Sequence, residues 1–536
     1  MSYSDVYREI HRFSVLAGAE IRGEKAEGIF EKRYGYDPVT GNSAMPVPKD
    51  PGNGEGFKYS DLVSYANAMD QLSGQEIEEN RFASFYGALD YSLFDRYVLN
   101  VSFRTDGSNN FGSDEQFNPT WSAGAVWHVS EETFMEVVRP VLSRLSLRVA
   151  TGYTGNINKT VKPNLMMKYY KNFRISDDEN YRMGYINNAP NPKLRWEKTR
   201  DVKVALDFGL WKDRINGIVE AYWRKSKDCV TSEYVPVTTG FFNQSYNTSV
   251  LQNNGVEFSL SVAVLKSKDY NLSVSANVAW NQNKLKKYNS PNTSLALDKY
   301  VGYPMGAVFS GKYEGIDPET GMYKFKLRPD AVTNKDGYLR EPNNYYYYLG
   351  TSVAPFTGGF NVNFSYKNIG LSVGGSYSVK AKMVDNIESP AGYELLSGSK
   401  LESIPTPHND LYRNHLNVKR EVRNRWTPEN RTGVKYPRLI DAYGKKLGLD
   451  LTNPTLTTIT RGALLEDISY LRINTIALSY SLPQRVLERI NFSSAALNLT
   501  LNNFFTITKY SGIDPEVPGA TYPVSRSVTI GLNVGF

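Results

Sequence analysis

The residues that could carry covalent or acid–base chemistry are few and scattered. The chain of 536 residues holds four histidines and one cysteine. His11, His128, His408 and His415 show no His-Glu-x-x-His spacing, so they nominate no zinc site. His128 falls on the polar face of the stretch Trp121–Val129, where a residue beside water needs no special role. Cys229 has no second cysteine to pair with and no histidine nearby in sequence, and it reads as inert. Neither a Gly-x-Ser-x-Gly elbow nor a phosphate-binding loop occurs. Asp317-Pro318-Glu319-Thr320-Gly321 and Asn334-Lys335-Asp336-Gly337 carry oxygen ligands but lack the regular spacing of an EF-hand, and are expected to be turns. No catalytic group, cofactor or metal site is expected, and the chain is not expected to be an enzyme.

Binding residues are easier to nominate. Tyr345, Tyr346, Tyr347 and Tyr348 follow Asn343 and Asn344 in a polar stretch, and Trp426 stands in Asn424-Arg425-Trp426. Aromatic faces cover apolar area and stack on sugar rings, while tyrosine hydroxyls hydrogen-bond. Contact with a ligand and packing between loops both remain open for these five. Asp106-Gly107-Ser108 is expected to form a turn at a rim, because Asp-Gly suits positive φ.

The elements that position these residues declare themselves by alternation. Phe85, Gly87, Leu89, Tyr91 and Leu93 face one way, and Tyr86, Ala88, Asp90 and Ser92 the other. Val256, Phe258, Leu260, Val262 and Val264 oppose Glu257, Ser259, Ser261 and Ala263. The chain ends on Val528, Ile530, Leu532, Val534 and Phe536 with Ser, Thr, Gly and Asn between them. Period two is the signature of a strand with one apolar and one polar face. About 15 such segments recur, many near the length that a tilted strand needs to cross a bilayer. Alternation alone also fits a soluble sandwich. The polar faces, rich in Gly, Ser, Asn and charges, favour a wet lumen. So do the aromatics near segment ends: Tyr91, Tyr97, Trp121, Trp127, Tyr153, Trp223, Trp280, Tyr366, Tyr377, Tyr480 and Phe504.

Connections come in two sizes. Leu210–Arg214 and Tyr366–Gly370 are tight, whereas long loops are expected near 24–80, 155–192, 316–352 and 382–462. Short turns on one side and long loops on the other suit an outer-membrane barrel. No apolar run is long enough for a membrane helix. The formal charge of +7 comes from 62 basic and 55 acidic residues. The densest basic run, Val418–Arg423, is broken by Glu421, so no nucleic-acid footprint is expected.

Several stretches together resemble a known family. They include Arg104-Thr105-Asp106-Gly107-Ser108-Asn109-Asn110-Phe111-Gly112, Thr151–Asn156, Leu194–Thr199 and Asn254-Gly255-Val256-Glu257-Phe258. Further on come Gly302-Tyr303-Pro304-Met305-Gly306, Gly315–Gly321, Asn424–Asn430, Leu465–Arg472, Asn502–Phe505 and Asp514-Pro515-Glu516. In this order they resemble the C-terminal barrel portion of the SusC/RagA-like, TonB-linked outer-membrane transporters of Bacteroidetes, from about His11 to Phe536.

The resemblance implies an all-β fold: a transmembrane antiparallel barrel of about 22 strands, of which this chain, as one unit over 1–536, supplies roughly the last 14–16. No plug, TonB box or signal segment is recognised, so the chain is expected to be a fragment, a mis-started reading or half of a split protein. The implied function is import of oligosaccharides or peptides across the outer membrane of a Gram-negative, Bacteroidetes-like cell. The implied partners are outer-membrane lipid, a SusD-like lipoprotein lid and the TonB complex, reached through an upstream region. Tyr345–Tyr348 and Trp426 would touch substrate or lid, and Phe536 would act as a barrel-assembly signal. The alternatives are a passive porin or surface ligand-binding barrel, a truncated remnant that does not transport, and a soluble carbohydrate-binding β protein.

Overall fold

Residues that alternate in polarity pair side by side, edge to edge, across almost the whole chain. The computed structural model describes residues 2–31, 36–37, 39–42, 73–156, 158, 161–171, 182–241, 243–288, 300–319, 321, 323–331, 345–384, 423–436, 461–518 and 522–536. Among these, one sheet of 15 strands runs in strict chain order. Its strands are β1 (Ser2–Tyr7), β2 (His11–Glu31), β3 (Ser73–Leu93), β4 (Tyr97–Ser108) and β5 (Phe117–Trp127). Then come β6 (Leu142–Asn156), β7 (Glu197–Leu210), β8 (Ile215–Tyr234), β9 (Asn243–Lys266) and β10 (Tyr270–Lys287). The last five are β11 (Phe356–Tyr366), β12 (Ile369–Val379), β13 (Tyr470–Ser481), β14 (Ser494–Thr508) and β15 (Ser527–Gly535). Neighbours are antiparallel throughout, and among the described residues the sheet stays open between β1 and β15.

Register aligns the apolar faces. Leu210, Ile215, Val262, Val274, Val362, Val373, Ile476, Leu501 and Val528 stand in one row across nine strands. A slip of one residue anywhere would turn a strand's apolar set to the other face. The apolar face is not covered by a second layer: Val528 of this row is 56% exposed, and on the same face Leu497 is 47%, Ile530 73% and Leu532 67% exposed. A soluble sandwich would bury such faces between sheets; a membrane barrel presents them to lipid. Among the described residues, nine of the fifteen buried apolar residues lie in the long connections: Phe111, Leu194, Trp196, Tyr346, Ala381, Trp426, Tyr436, Ile468 and Tyr510.

Aromatic belts bound the apolar band. On the short-turn side, Tyr97 stacks on Trp127 at 6.5 Å and Tyr270 on Tyr366 at 4.7 Å between centroids. On the other side stand Trp121 against Tyr153 at 5.9 Å, with Trp223 and Trp280 further along. From Tyr270 to Trp280 the strand climbs about 33 Å, which a tilt near 40° projects to roughly 25 Å, the height of a lipid-facing band. One expected belt residue shifts. Asn503 takes φ +60° at an irregularity between β13 and β14. The face changes there, so that Phe505 rather than Phe504 is the exposed ring.

The turns sort as expected, with revised bounds. Phe94 and Asp95 both take φ +55°, Trp211, Lys212 and Asp213 take φ +51° to +61°, and Lys367 takes φ +50°. These left-handed residues close the tight side. On the other side the connections span 32–72, 109–116, 157–196, 235–242, 288–355, 380–469 and 509–526. The loop expected over 24–80 is therefore narrower. Glu24-Lys25-Ala26-Glu27 loses the apolar face, but the backbone ladder continues from His11↔Leu93 up to Glu31↔Ser73. Conversely, the loop expected over 316–352 opens at 288. Asp106-Gly107-Ser108 is not a turn: it ends β4, with Asp106 opposite Ser84 and Asn118, and the Phe117 ring lies over Gly107. His408, His415, Asn334–Gly337 and most of the basic run at 418–423 lie outside the described residues.

Candidate substrate-contact site at the long-loop rim

The long-loop rim is assembled by small hairpins and buried knots. Ala307–Gly311 pairs with Tyr346–Thr351 in the connection between β10 and β11. This hairpin places the nominated tyrosines alternately. Tyr346 is buried, and its carbonyl accepts from Arg328 at 3.4 Å. The Tyr347 hydroxyl donates to the Leu327 carbonyl at 3.0 Å, which fixes its ring within the loop. Tyr348 is 41% exposed and packs on Tyr303 at 4.9 Å and Phe309 at 5.7 Å. Burial pushes its hydroxyl above the ordinary phenol range, and Tyr303 adds to that, so it remains a neutral donor. Tyr345 is half-buried at the start of the same hairpin.

Tyr348 and the Gly302–Gly306 turn line a cavity of about 500 Å³ above the ends of β9 and β10. Trp280, Asn253, Asn283, Met305 and Tyr303 are also among its lining residues. Asn283 donates to Asn253 at 2.7 Å and accepts from the Met305 N–H at 2.8 Å, which ties the Gly302–Gly306 turn to β9 and β10. Aromatic faces beside carboxamides can bind a neutral, hydroxyl- or amide-bearing group by stacking and hydrogen bonding. Trp426 is not part of this cavity. It is buried, and its indole N–H donates to the Pro318 carbonyl at 3.0 Å, joining two loops. Next to it, Asp317 forms the expected turn: its carbonyl accepts from Gly321 N–H at 2.8 Å and its carboxylate from Glu319 N–H at 2.8 Å.

Two further knots were not anticipated as contacts, although their residues stood in the quoted motifs. Phe111 stacks on Trp196 at 4.7 Å between centroids, both buried. Gly112 sits so close to Pro192 that a Cβ would fall 1.9 Å from its carbonyl oxygen, so only glycine fits. In the second knot, Arg472 on β13 pairs with Asp514, and its Nη1 lies 3.1 Å from Glu516. Asp514 also accepts from the N–H groups of Glu516 at 3.0 Å and Val524 at 3.1 Å. Burial pushes the Asp514 carboxyl up. Those two N–H groups and the guanidinium together outweigh it and hold the carboxyl below the usual carboxylate range. A long separation in sequence hides such a pair; an Arg on a strand's polar face and an Asp-Pro-Glu after a turn were the available signals.

The polar face below the rim is a ladder of paired charges. Arg148 meets Asp207 at 2.6 Å, Lys203 meets Glu220 at 3.2 Å and Arg224 meets Asp201 at 2.9 Å. The Tyr222 ring lies over Gly255 and its hydroxyl donates to Asn281 at 3.2 Å. These pairs are part-exposed and contribute about 0–1 kcal/mol each; their effect is a hydrogen-bonding wall with little net charge. At the opposite end Phe536 is 92% exposed and its ring meets Phe492 at 5.2 Å. His11 bonds the Tyr91 hydroxyl at 2.8 Å and His128 the Ser146 hydroxyl at 3.0 Å, each a side-chain pair without a metal geometry. Among the described residues no cluster of His, Cys, Asp and Glu could hold a metal ion.

Comparison with known proteins agrees with this architecture. The family model described as "TonB dependent receptor-like, beta-barrel" matches residues 30–388. A TonB-dependent receptor, P26, of Formosa agariphila is 25% identical over 100% of this chain and 52% of its own length. The TonB-dependent receptor SusC of Bacteroides thetaiotaomicron is 26% identical over 98% of this chain and 48% of its own. The chain thus spans about half the length of the curated relatives it matches. The solved RagAB peptide transporter shares the fold, with a TM-score of 0.74 at 24% identity over 100% of this chain and 54% of that one. Apolar band, aromatic belts, loop asymmetry and these matches converge: the chain belongs to the TonB-dependent receptor β-barrel family, and it is similar in sequence to SusC and in fold to the RagAB transporter.

Proposed function

We propose that this chain forms the wall and outer rim of an energy-coupled importer of oligosaccharides or peptides in the outer membrane of a Gram-negative, Bacteroidetes-like cell. A SusD-like lipoprotein closes over its long-loop rim, and TonB supplies the energy. The observation that carries this reading is the match to SusC over 98% of this chain and 48% of SusC, supported by the fold shared with a peptide transporter. The wall chemistry is in keeping with it. Paired charges and carboxamides suit a large polar solute better than an ion. Tyr348 offers the exposed face for substrate or lid. Tyr345 and Tyr347 support it in the same hairpin, and Tyr346 and Trp426 hold the loops that present it. Phe536, exposed just past the end of β15, serves as the assembly signal.

The test is uptake by whole cells. A strain lacking the gene is complemented with the intact gene or with a Tyr348→Ala version, and offered fluorescent oligosaccharides and labelled peptides. Import should require the gene, stop when a protonophore collapses the proton gradient, and show a half-saturating concentration raised several-fold by Tyr348→Ala. Uptake that survives the protonophore would identify a passive porin instead.

A further inference from the structure

The outward face of β7 and β8 carries four cations that no described residue neutralises. Lys198 lies directly opposite Lys227, and Arg200 directly opposite Lys225. Arg200, Lys225 and Lys227 are exposed, and Lys198 is half-buried. Their faces are settled by their neighbours. Thr199 bonds Ser226 at 2.8 Å and Asp201 bonds Arg224 at 2.9 Å on the polar side, so the residues between them point outward. The described carboxylates nearby are engaged elsewhere. Asp201 holds Arg224, Asp228 holds Arg195 at 2.7 Å, Glu197 accepts from Asn156 and the Val230 N–H, and Glu233 accepts from Thr248.

Like charges placed directly opposite on adjacent strands destabilise a sheet. Two such pairs, stacked with no acid between them, call for an anion from outside the chain. Their height says which kind. Arg200 is opposite Tyr153 of the upper aromatic belt, and Lys225 follows the exposed Trp223 by two residues along β8. The quartet therefore sits just above the lipid-facing band on the long-loop side, at headgroup level. Apolar Val202 and Val204 continue down the same face toward the acyl region.

We propose that Lys198, Arg200, Lys225 and Lys227 form a docking site for the phosphate of a phosphate-bearing lipid of the outer leaflet, whose acyl chains lie against Trp223 and the β7–β8 wall. The site belongs to the lipid-facing surface and stands whether or not the barrel imports anything. Clustered Lys and Arg bind anionic headgroups additively and with strong salt dependence.

The protein, extracted from its own outer membrane in a nonionic detergent, is titrated with a bis-phosphorylated disaccharide lipid, with the same lipid after dephosphorylation, and with inorganic phosphate, read by native mass spectrometry. The phosphorylated lipid should bind on the order of 1,000-fold more tightly to the wild type than to K198Q/R200Q/K225Q/K227Q, given roughly 1 kcal/mol for each cation. The charge-preserving K198R/K225R/K227R should bind like the wild type. Should the quadruple variant fold poorly, the wild type alone decides: its affinity for the phosphorylated lipid must fall steeply with salt, while that for the dephosphorylated lipid stays flat. Equal binding by wild type and quadruple variant, equal binding of the two lipids, or stoichiometric displacement by inorganic phosphate each overturns the proposal.

Discussion

The two rims of this barrel are built on opposite principles. On the tight side, chain reversals are made by a few residues in the left-handed region, such as Phe94-Asp95 and Trp211-Lys212-Asp213. Its charges pair between adjacent chain reversals: Arg12 meets Asp95 at 3.0 Å, and Arg96 meets Glu132 at 3.3 Å. Glu132 also accepts from the Tyr97 hydroxyl and the Trp127 indole, which with Arg96 hold its carboxyl below the usual range. The long-loop rim has few local rules. Trp426 reaches Pro318, Phe111 reaches Trp196 and Arg472 reaches Asp514, all across long stretches of sequence. A rim that only reverses the chain can be local and cheap in contacts. One that must present a surface needs its own small core, and the barrel supplies none, since its apolar faces go to lipid.

The contrast can be broken most severely at Arg472. Replacing Arg472 by Ala leaves Asp514 buried beside Glu516 without a counter-charge and should cost about 3–5 kcal/mol. Limited proteolysis should then cut the 509–526 connection while β13 and β14 stay protected; an unchanged cleavage pattern would show that the latch holds nothing. The same latch has a pH signature. Because the Asp514 carboxyl is held below its unfolded value, its contribution is complete above the ordinary carboxylate range near 4 and is lost as pH falls through the lower folded value. Resistance of this loop to proteolysis should decline in that acid window for the wild type and be flat for Asp514→Asn.

A smaller loss is expected at the other knot. Phe111→Ala removes one face of the Phe111–Trp196 stack and should cost roughly 3 kcal/mol. Tryptophan fluorescence from Trp196 should shift to longer wavelength as water enters. No spectral change would mean that the ring pair is not buried as described. The least effect belongs to the tight side. Lys212, at φ +58°, stands in a turn that reverses the chain between β7 and β8. Lys212→Gly should relieve left-handed strain and raise stability by up to about 1 kcal/mol. A decrease in the unfolding midpoint would show that the tight rim also depends on side chains.

Much of this was legible from residue order. Segments such as Val256–Val264 and Val528–Phe536 revealed their two faces, because period two is imposed by the backbone on each strand separately. The tight turns were legible for the same reason. The extensions of β2 and β3 were not, because above the membrane Glu24–Glu27 has no apolar face to declare and only cross-strand pairing holds it in register. Asp106-Gly107 misled in the other direction: its turn chemistry is overridden by pairing to Ser84 and Asn118.

At the candidate site the division is sharper. The run Tyr345–Tyr348 was visible as aromatic and loop-borne, but its split into buried Tyr346 and exposed Tyr348 follows from the hairpin with Ala307–Gly311, which no local pattern announces. Trp426, visible as a lone aromatic, became a loop anchor only by meeting Pro318. The sequence by itself thus determined the strands, their lipid-facing sides, the alternation of short and long connections and the family, since each is written in a period, a turn or an ordered motif. Tertiary structure alone decided which loop residues are buried, which acids meet which bases, and that four outward cations stand together unpaired. Those outcomes depend on residues far apart in the chain arriving at one place, and local periodicity carries no record of such meetings.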